Sequence, residues 1–347
     1  MSLSLETACR PFLPGGLPYR SATQALEISR RYAGTFLAWP QLPQRSPRER
    51  GLIQSMCGFP GAVIDHARGS IHVDRALAAR RLDELSMAYL EHDLGYAALT
   101  PDDAAGLAEL QRQAELFRSA VVLKGQILGP ISVAAQLTDE QQRPLIYDQV
   151  LFDAIVQFLR LRIAWQEKQL RAVALQTIMC VEEPLLDIIG QPFLPLDWNQ
   201  AAEQITLVLG GVNGRRAVAA GGAVEWSNIL LPPVDLIIAD VVSYGHGLVA
   251  AAVPLAEFVA SGGMVGFGIV PTDDDLLAST QSEILEQRFE RLIDTLARAG
   301  VNRDQLVRQA LIAPTGTLGY SSTETAERVL LLLADLSHAL RQRYGFA

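Results

Sequence analysis

The sequence has only three cysteines, Cys9, Cys57 and Cys180, an odd number at wide spacing. That is no disulfide framework; it suits reduced thiols in a cytosol, each most simply a small buried hydrophobe. Charge is also scarce. Charged residues make up 19% of the chain and hydrophobic ones 49%, which excludes a disordered protein and leaves ample material for a large core. The formal net charge is −9 and the pI about 5.1, with no run of Lys and Arg able to track a phosphate backbone. Nucleic acid and anionic membranes are therefore not expected as partners. No apolar run reaches the ~18 residues of a spanning helix, and Met1 to Pro14 has no basic segment followed by an apolar core. The expectation is a soluble cytoplasmic protein with a small-molecule ligand. Nothing in the sequence sets its oligomeric state.

What is present is alternation. Eight short apolar runs end in Gly, Pro or an acidic or polar residue: Pro11 to Pro14, Thr35 to Trp39, Ala120 to Gln126, Thr177 to Glu182, Arg216 to Gly221, Asp235 to Asp240, Met264 to Val270 and Ala310 to Pro314. Runs such as Val234 to Asp240 are apolar without a period of two, as parallel strands covered on both faces should be. Helical spacing separates them, clearest where Ala326, Val329, Leu330, Leu333, Leu336 and Leu340 share one stripe after a capping box of Ser321 and Glu324. Asp148 to Ala172 reads as a second long helix. Val73 to Arg118 holds two helical patterns broken near Thr100-Pro101-Asp102, a helical excursion between the second and third strands. At 347 residues one barrel or two small domains are possible, but no repeat or linker divides the chain. A single α/β domain over residues 1–347, a (β/α)8 TIM barrel, is the simpler account.

In such a barrel the chemistry lies at the carboxyl ends of the strands. After the first strand come Gly15 and Gly16, which either admit a ligand close to the backbone or simply make a tight turn beside Pro14 and Pro18, with Tyr19 following. The second strand ends at Trp39 and Gln41, an aromatic face and an amide. The third carries Lys124 and Gln126, and a lysine in an apolar strand needs an anion, a carboxylate or water. At the fourth, alternation sends Glu182 and Glu183 to opposite sides, so only one can enter the mouth. The sixth ends in Asp240, followed by Ser243, Tyr244 and His246. Gly210 to Gly214 lacks the order of a dinucleotide fingerprint and reads as a helix end on the opposite face. Thr272 to Asp275 is an acidic helix start, no phosphate cradle. No nucleophilic triad is assembled.

Taken in chain order, Gly15 to Tyr19, Trp39 to Ser46, Lys124 to Pro130, Glu182-Glu183-Pro184, Gly268 to Pro271 and Ala313 to Thr315 resemble motifs of the cobalamin-independent methionine synthase family. The resemblance is closest to its short, single-barrel members and runs over nearly the whole chain. It implies a barrel that binds homocysteine and methylates its sulfur from a folate, with zinc holding the sulfur as thiolate. Carried over, the positions touching the amino acid are Gly15, Gly16 and Glu182, with Glu183 beside it. Gly16 stands for the family's serine, Tyr19 for a histidine and Glu182 for an aspartate.

The zinc ligands do not carry over. The stretch expected to hold a His-x-Cys or His-Cys-Cys segment reads Val218 to Ala223, the glutamate ligand falls near Ser243, and the last cysteine falls at Gly316. No metal ligand and no cofactor is expected; a folate has no independent support. Two hypotheses follow. One is a divergent, methyltransferase-like enzyme on an amino-acid-like or pterin-like molecule, with Glu182 and Asp240 as acid, base or ammonium-binding groups. The other is a non-catalytic relative that only binds. A cavity at the carboxyl face is expected to be lined by Gly16, Trp39, Lys124, Glu182 and Asp240.

Overall fold

The computed structural model describes residues 7–117, 122–231 and 233–346. Eight parallel strands lie in one sheet: β1 Arg10–Pro11, β2 Phe36–Ala38, β3 Val122–Leu128, β4 Thr177–Glu183, β5 Arg215–Ala220, β6 Leu236–Asp240, β7 Met264–Val270 and β8 Ala310–Pro314. Their order is sequential, β2 to β8, with β1 completing the ring against β8. Only β1 and β2 are not paired along their length. The seam closes just beyond them, where Gln41 N–H donates to Gly15 O at 2.8 Å and Leu17 N–H donates to Gln41 O at 2.9 Å. This is a nearly closed (β/α)8 barrel. Of the third run, Ala120 and Val121 lie outside the described residues, as does Arg118 at the end of the excursion.

Alternation along the strands divides the core in two. Phe12, Phe36, Val122, Ile178, Cys180, Ala217, Leu236, Met264 and Leu311 pack inside the barrel. The opposite faces join the much larger layer between sheet and helices. In that layer the helix Gln149–Arg171 buries Leu151, Ile155, Phe158 and Leu159, and Asp148 caps it by accepting from Leu151 N–H. The final helix, Thr323–Tyr344, buries the expected leucine stripe. Its cap is Ser322 rather than Ser321: Ser322 Oγ accepts from Thr325 N–H, while Ser321 N–H is used by the preceding turn on Leu318 O. Gly210 ends the helix Trp198–Leu209, and Asp273 caps the helix Asp274–Ala278. No helix of the described residues is long and apolar enough to cross a membrane.

The insertion between β2 and β3 contains more than helices. Helices Arg75–Leu90 and Ala105–Arg112 flank a turn in which Asp103 accepts from Thr100 N–H and Oγ1. Ahead of them stands a β-hairpin, Ala62–Asp65 against Ser70–Val73, whose second strand pairs in parallel with Thr138–Asp139. Arg75 fastens the insertion to the barrel, reaching Asp139 at 2.8 Å and Asp148 at 2.6 Å. The hairpin turn is thereby held over the barrel mouth.

Candidate functional site

A cavity of about 650 Å³ opens at the carboxyl face. Its space comes from small residues at the top of the inward-facing rows. Ala219, Gly221 and Ala313 stand where bulkier side chains would close the barrel. Below them Cys180 and Leu236 seal the interior. The walls are largely apolar, with Phe12, Leu13, Leu52, Ile53, Leu128 and Ile238, and polar groups are concentrated on a few side chains.

Lys124, Glu182 and Asp240 all line this cavity. Lys124 points inward from β3, its side chain almost wholly buried. Its Nζ lies 3.4 Å from Glu182 Oε1, 3.4 Å from Leu13 O, and 5.3 Å from the centre of the Phe12 ring. Glu182 follows Ile178 and Cys180 on the inner face of β4 and keeps 30% of its side-chain surface exposed. Asp240 follows Leu236 and Ile238 on β6. Its Oδ1 accepts from the N–H groups of Val242 and Ser243, an Asx turn that fixes the carboxylate. Between β4 and β6 runs β5, where Glu182 is in register with Ala219 and Ala219 with Ile238. Asp240 lies two residues beyond Ile238, so the two carboxylate positions are offset by two strand spacings, roughly 10 Å, across the sheet and by about 7 Å along it, with the small residues Ala219 and Gly221 of β5 in the gap.

The other expected residues divide sharply. Gly16 and Gln41 line the cavity. A Cβ at Gly16 would overlap Thr317 Oγ1, so the glycine there permits close packing of two loops. Gly15 lies over the Gln126 side chain, and Gln126, fully buried, donates to Trp39 O at 3.1 Å; both belong to the seam of the barrel. Trp39 does not line the cavity as expected. With Phe36 facing inward, alternation turns Trp39 outward, where its indole donates to Gln166 of the helix Gln149–Arg171. Glu183 likewise faces out, accepting from the N–H groups of Ile131 and Ser132 at 3.0 and 2.8 Å. Burial pushes its carboxyl up to about 7 despite those bonds. Tyr19 is buried against Glu327, and burial with that neighbouring charge raises its phenol to about 12. Tyr244 and the exposed His246 flank the start of the helix Gly245–Ala250 and are not part of the cavity wall.

Sequence reasoning missed a second group. Arg50, Gly69 and Ser70 come from the insertion, and Arg50 Nη1 donates to Gly69 O at 3.0 Å. Glu49 also borders the cavity, its carboxyl raised by burial to about 7 against the opposing pull of Arg45 at 2.6 Å. The available signal was the pair of short β-prone runs around Asp65-His66-Ala67-Arg68-Gly69, a hairpin pattern that helical spacing nearby obscured. Thr315, Thr317 and Tyr320 complete the rim from the loop after β8.

With this geometry in view, the likeness to known proteins can be placed. No protein-family profile and no curated protein matches the chain. Solved barrels do. A methyltransferase from Methanosarcina mazei superposes over 99% of this chain and 95% of its own, with TM-score 0.57 and 12% identity. A B12-independent methionine synthase from Shewanella sp. W3-18-1, in complex with selenomethionine, covers 69% of this chain and 68% of its own, with TM-score 0.48 and 12% identity. At 12% identity the likeness to the methyltransferase barrel is one of fold.

The cavity residues do not fit the zinc ion that the resemblance implies. The ends of β5 and β6 and the loop after β8 offer Ala219, Ala220, Gly221, Asp240 and Gly316, a single carboxylate with no imidazole or thiol. Cys180 lies beneath the cavity, fully buried, and burial raises its thiol to about 12. No group of three or more His, Cys, Asp or Glu able to hold a metal occurs among the described residues.

Proposed function

We propose that the protein is a divergent, methyltransferase-like barrel enzyme that acts on an amino-acid-like or pterin-like amine without a zinc thiolate. The observation that carries this reading is the pair Glu182 and Asp240, on the inner faces of β4 and β6 with the small residues Ala219 and Gly221 of β5 in the gap, lining one open cavity. Two carboxylates facing one gap repel each other, and a bound ammonium group relieves that repulsion while it orients the ligand. Lys124 holds Glu182 from below and leaves Asp240 as the carboxylate without a cationic partner among the described residues. In catalysis Asp240 is then the proton acceptor on the ligand, and Glu182 the group that fixes the ligand's amine. A homocysteine thiolate is not the expected nucleophile, because two carboxylates disfavour a neighbouring anion and no metal-holding group among the described residues offsets them.

One observation favours a second reading, a binding protein without chemistry: Glu182 is already engaged in an ion pair, as a merely structural carboxylate would be. Thermal stabilisation by methionine, homocysteine, folates and simple amines tests binding, because a ligand of the native state raises Tm. Stabilisation by amines that is lost in both Glu182→Gln and Asp240→Asn supports the ammonium subsite. Stabilisation that survives both substitutions, or none with any amine, would rule it out. Turnover of the stabilising compound separates enzyme from binder.

A further inference from the structure

Of the 29 Lys and Arg residues in this chain only two, Lys124 and Lys168, are lysines, and one of them lies inside the barrel. Where the fold needs a cation for an ion pair it uses arginine, as in Arg45 with Glu49, Arg75 with Asp139 and Arg303 with Glu290. Those contacts measure 2.6, 2.8 and 2.8 Å. A charge-assisted N–H to carboxylate bond is typically about 2.7–2.9 Å, and the longer arginine pairs of this fold, 3.3 to 4.0 Å, all have a cation at least 28% exposed, against 4% for Lys124. Both polar contacts of Lys124 are 3.4 Å, and its third neighbour is the Phe12 ring. Its amine is therefore almost fully withdrawn from water yet loosely held, at the floor of a cavity whose other side is open. An arginine could hold Glu182 there equally well. It could not act as a nucleophile, because its guanidinium keeps its proton.

We propose that Lys124 is a covalent catalytic residue that condenses with the carbonyl group of a small neutral aldehyde or ketone. The ammonium of Lys124 gives one proton to Glu182, its carboxylate neighbour, and the freed lone pair attacks the carbonyl carbon. The new C–N bond forms as the C=O π pair moves to oxygen, which takes the proton back from Glu182. The nitrogen loses a second proton by the same route, the hydroxyl leaves as water, and the nitrogen lone pair closes the C=N bond. One ammonium and one carbonyl compound thus give one iminium and one water, with the positive charge retained on nitrogen. The iminium acidifies the adjacent C–H bond. Asp240, on the facing wall, can receive that proton while the C–H pair moves toward nitrogen as an enamine. The charge around the floor selects the substrate: two carboxylates beside one lysine disfavour an anionic carbonyl compound such as a 2-oxo acid.

The proposal shares the cavity with the function given above but does not depend on the ammonium subsite, so the two fail separately: amine stabilisation reports one and covalent capture the other. The test is reductive trapping of the intact protein with cyanoborohydride and either glycolaldehyde, dihydroxyacetone or pyruvate, read by peptide mass mapping. Lys168 and the N-terminal amine serve as internal comparisons. The expected result is an adduct that forms first at Lys124, faster with the neutral probes than with pyruvate. It is absent from that peptide in Lys124→Arg and slowed by ~10²-fold in Glu182→Gln, the low end of what a positioned acid and base contributes. Labelling of Lys168 or the N-terminus ahead of Lys124 in the unaltered protein would overturn the proposal, whatever the variants do. So would unaltered trapping kinetics in Glu182→Gln, which removes the proton acceptor while keeping the side-chain shape.

Discussion

Glu182 and Glu183 are neighbours in sequence and opposites in environment. Glu183 is in the layer between sheet and helices, where every oxygen of its carboxylate meets a backbone N–H at hydrogen-bond distance. Glu182 is inside the barrel, where it has one loose partner and an open cavity. The outer layer mostly uses polar groups to finish structure: Glu167 accepts from Thr177 and the Asn213 and Gly214 N–H groups, and Trp39 donates to Gln166, although Arg162 keeps Nε and Nη1 buried without a partner. The barrel mouth leaves its polar groups incompletely satisfied. The difference teaches where to look for chemistry, since a carboxylate whose bonds are all made by the fold has none left for a ligand.

The largest expected effect comes from breaking the outer member of the pair. Glu183→Ala leaves the N–H groups of Ile131 and Ser132 buried without an acceptor, at a cost of about 3 kcal/mol, and urea unfolding should show a clear fall in midpoint. Glu182→Gln, measured alongside, keeps an acceptor for the buried Lys124 ammonium and should cost less, roughly 1–2 kcal/mol. Equal losses in the two variants would erase the distinction drawn here.

The same comparison has a pH signature. Burial holds the carboxyls of Glu183 and Glu49 near 7, above their ordinary 4.5, so each favours the folded state in its protonated form. Their contribution is fully present below the unfolded value and is lost as pH rises through about 7. Between about pH 4.5 and 7, therefore, they make stability fall as pH rises, and Glu183→Gln should flatten that slope. A series of urea titrations across this range, with Glu182→Gln for contrast, tests the sign. A slope unchanged by Glu183→Gln would remove burial as the source of its shift.

Filling the mouth sharpens the functional half. Ala219→Leu places a branched side chain level with Glu182 and one inward position below Asp240, in the cavity that both line. Ligand stabilisation should vanish while the circular dichroism spectrum and unfolding midpoint stay near those of the parent. If binding persists, the ligand sits elsewhere. The smallest effect belongs to the surface: Arg81→Ala, which breaks an exposed pair with Glu84 at 3.0 Å, should shift stability by no more than ~0.5 kcal/mol.

Much of this was readable from residues alone. The eight apolar runs marked the strands of the barrel, and Lys124, Glu182 and Asp240 stood out as charges at strand ends. Gly16 and Gln41 were found for the same reason. Trp39 was misplaced because one step along a strand reverses the facing, and the run Thr35 to Trp39 has apolar residues on both sides, so composition gives no phase. Arg50 and Ser70 were invisible as site residues because they belong to an insertion whose path across the mouth is set by distant contacts of Arg75 with Asp139 and Asp148.

The sequence by itself determined the order of strands and helices and the presence of a few charges among apolar residues, because both follow from local pattern and from the cost of burying polar groups. Only the tertiary structure decided which of Glu182 and Glu183 enters the barrel, that Lys124 meets Glu182 of the adjacent strand, and that Ala219 and Gly221 leave room between Glu182 and Asp240. Those facts depend on register and on closure of the ring, which bring residues as far apart in the chain as Gly16 and Thr317 into one cavity by pairing between strands rather than by any neighbourhood in the chain.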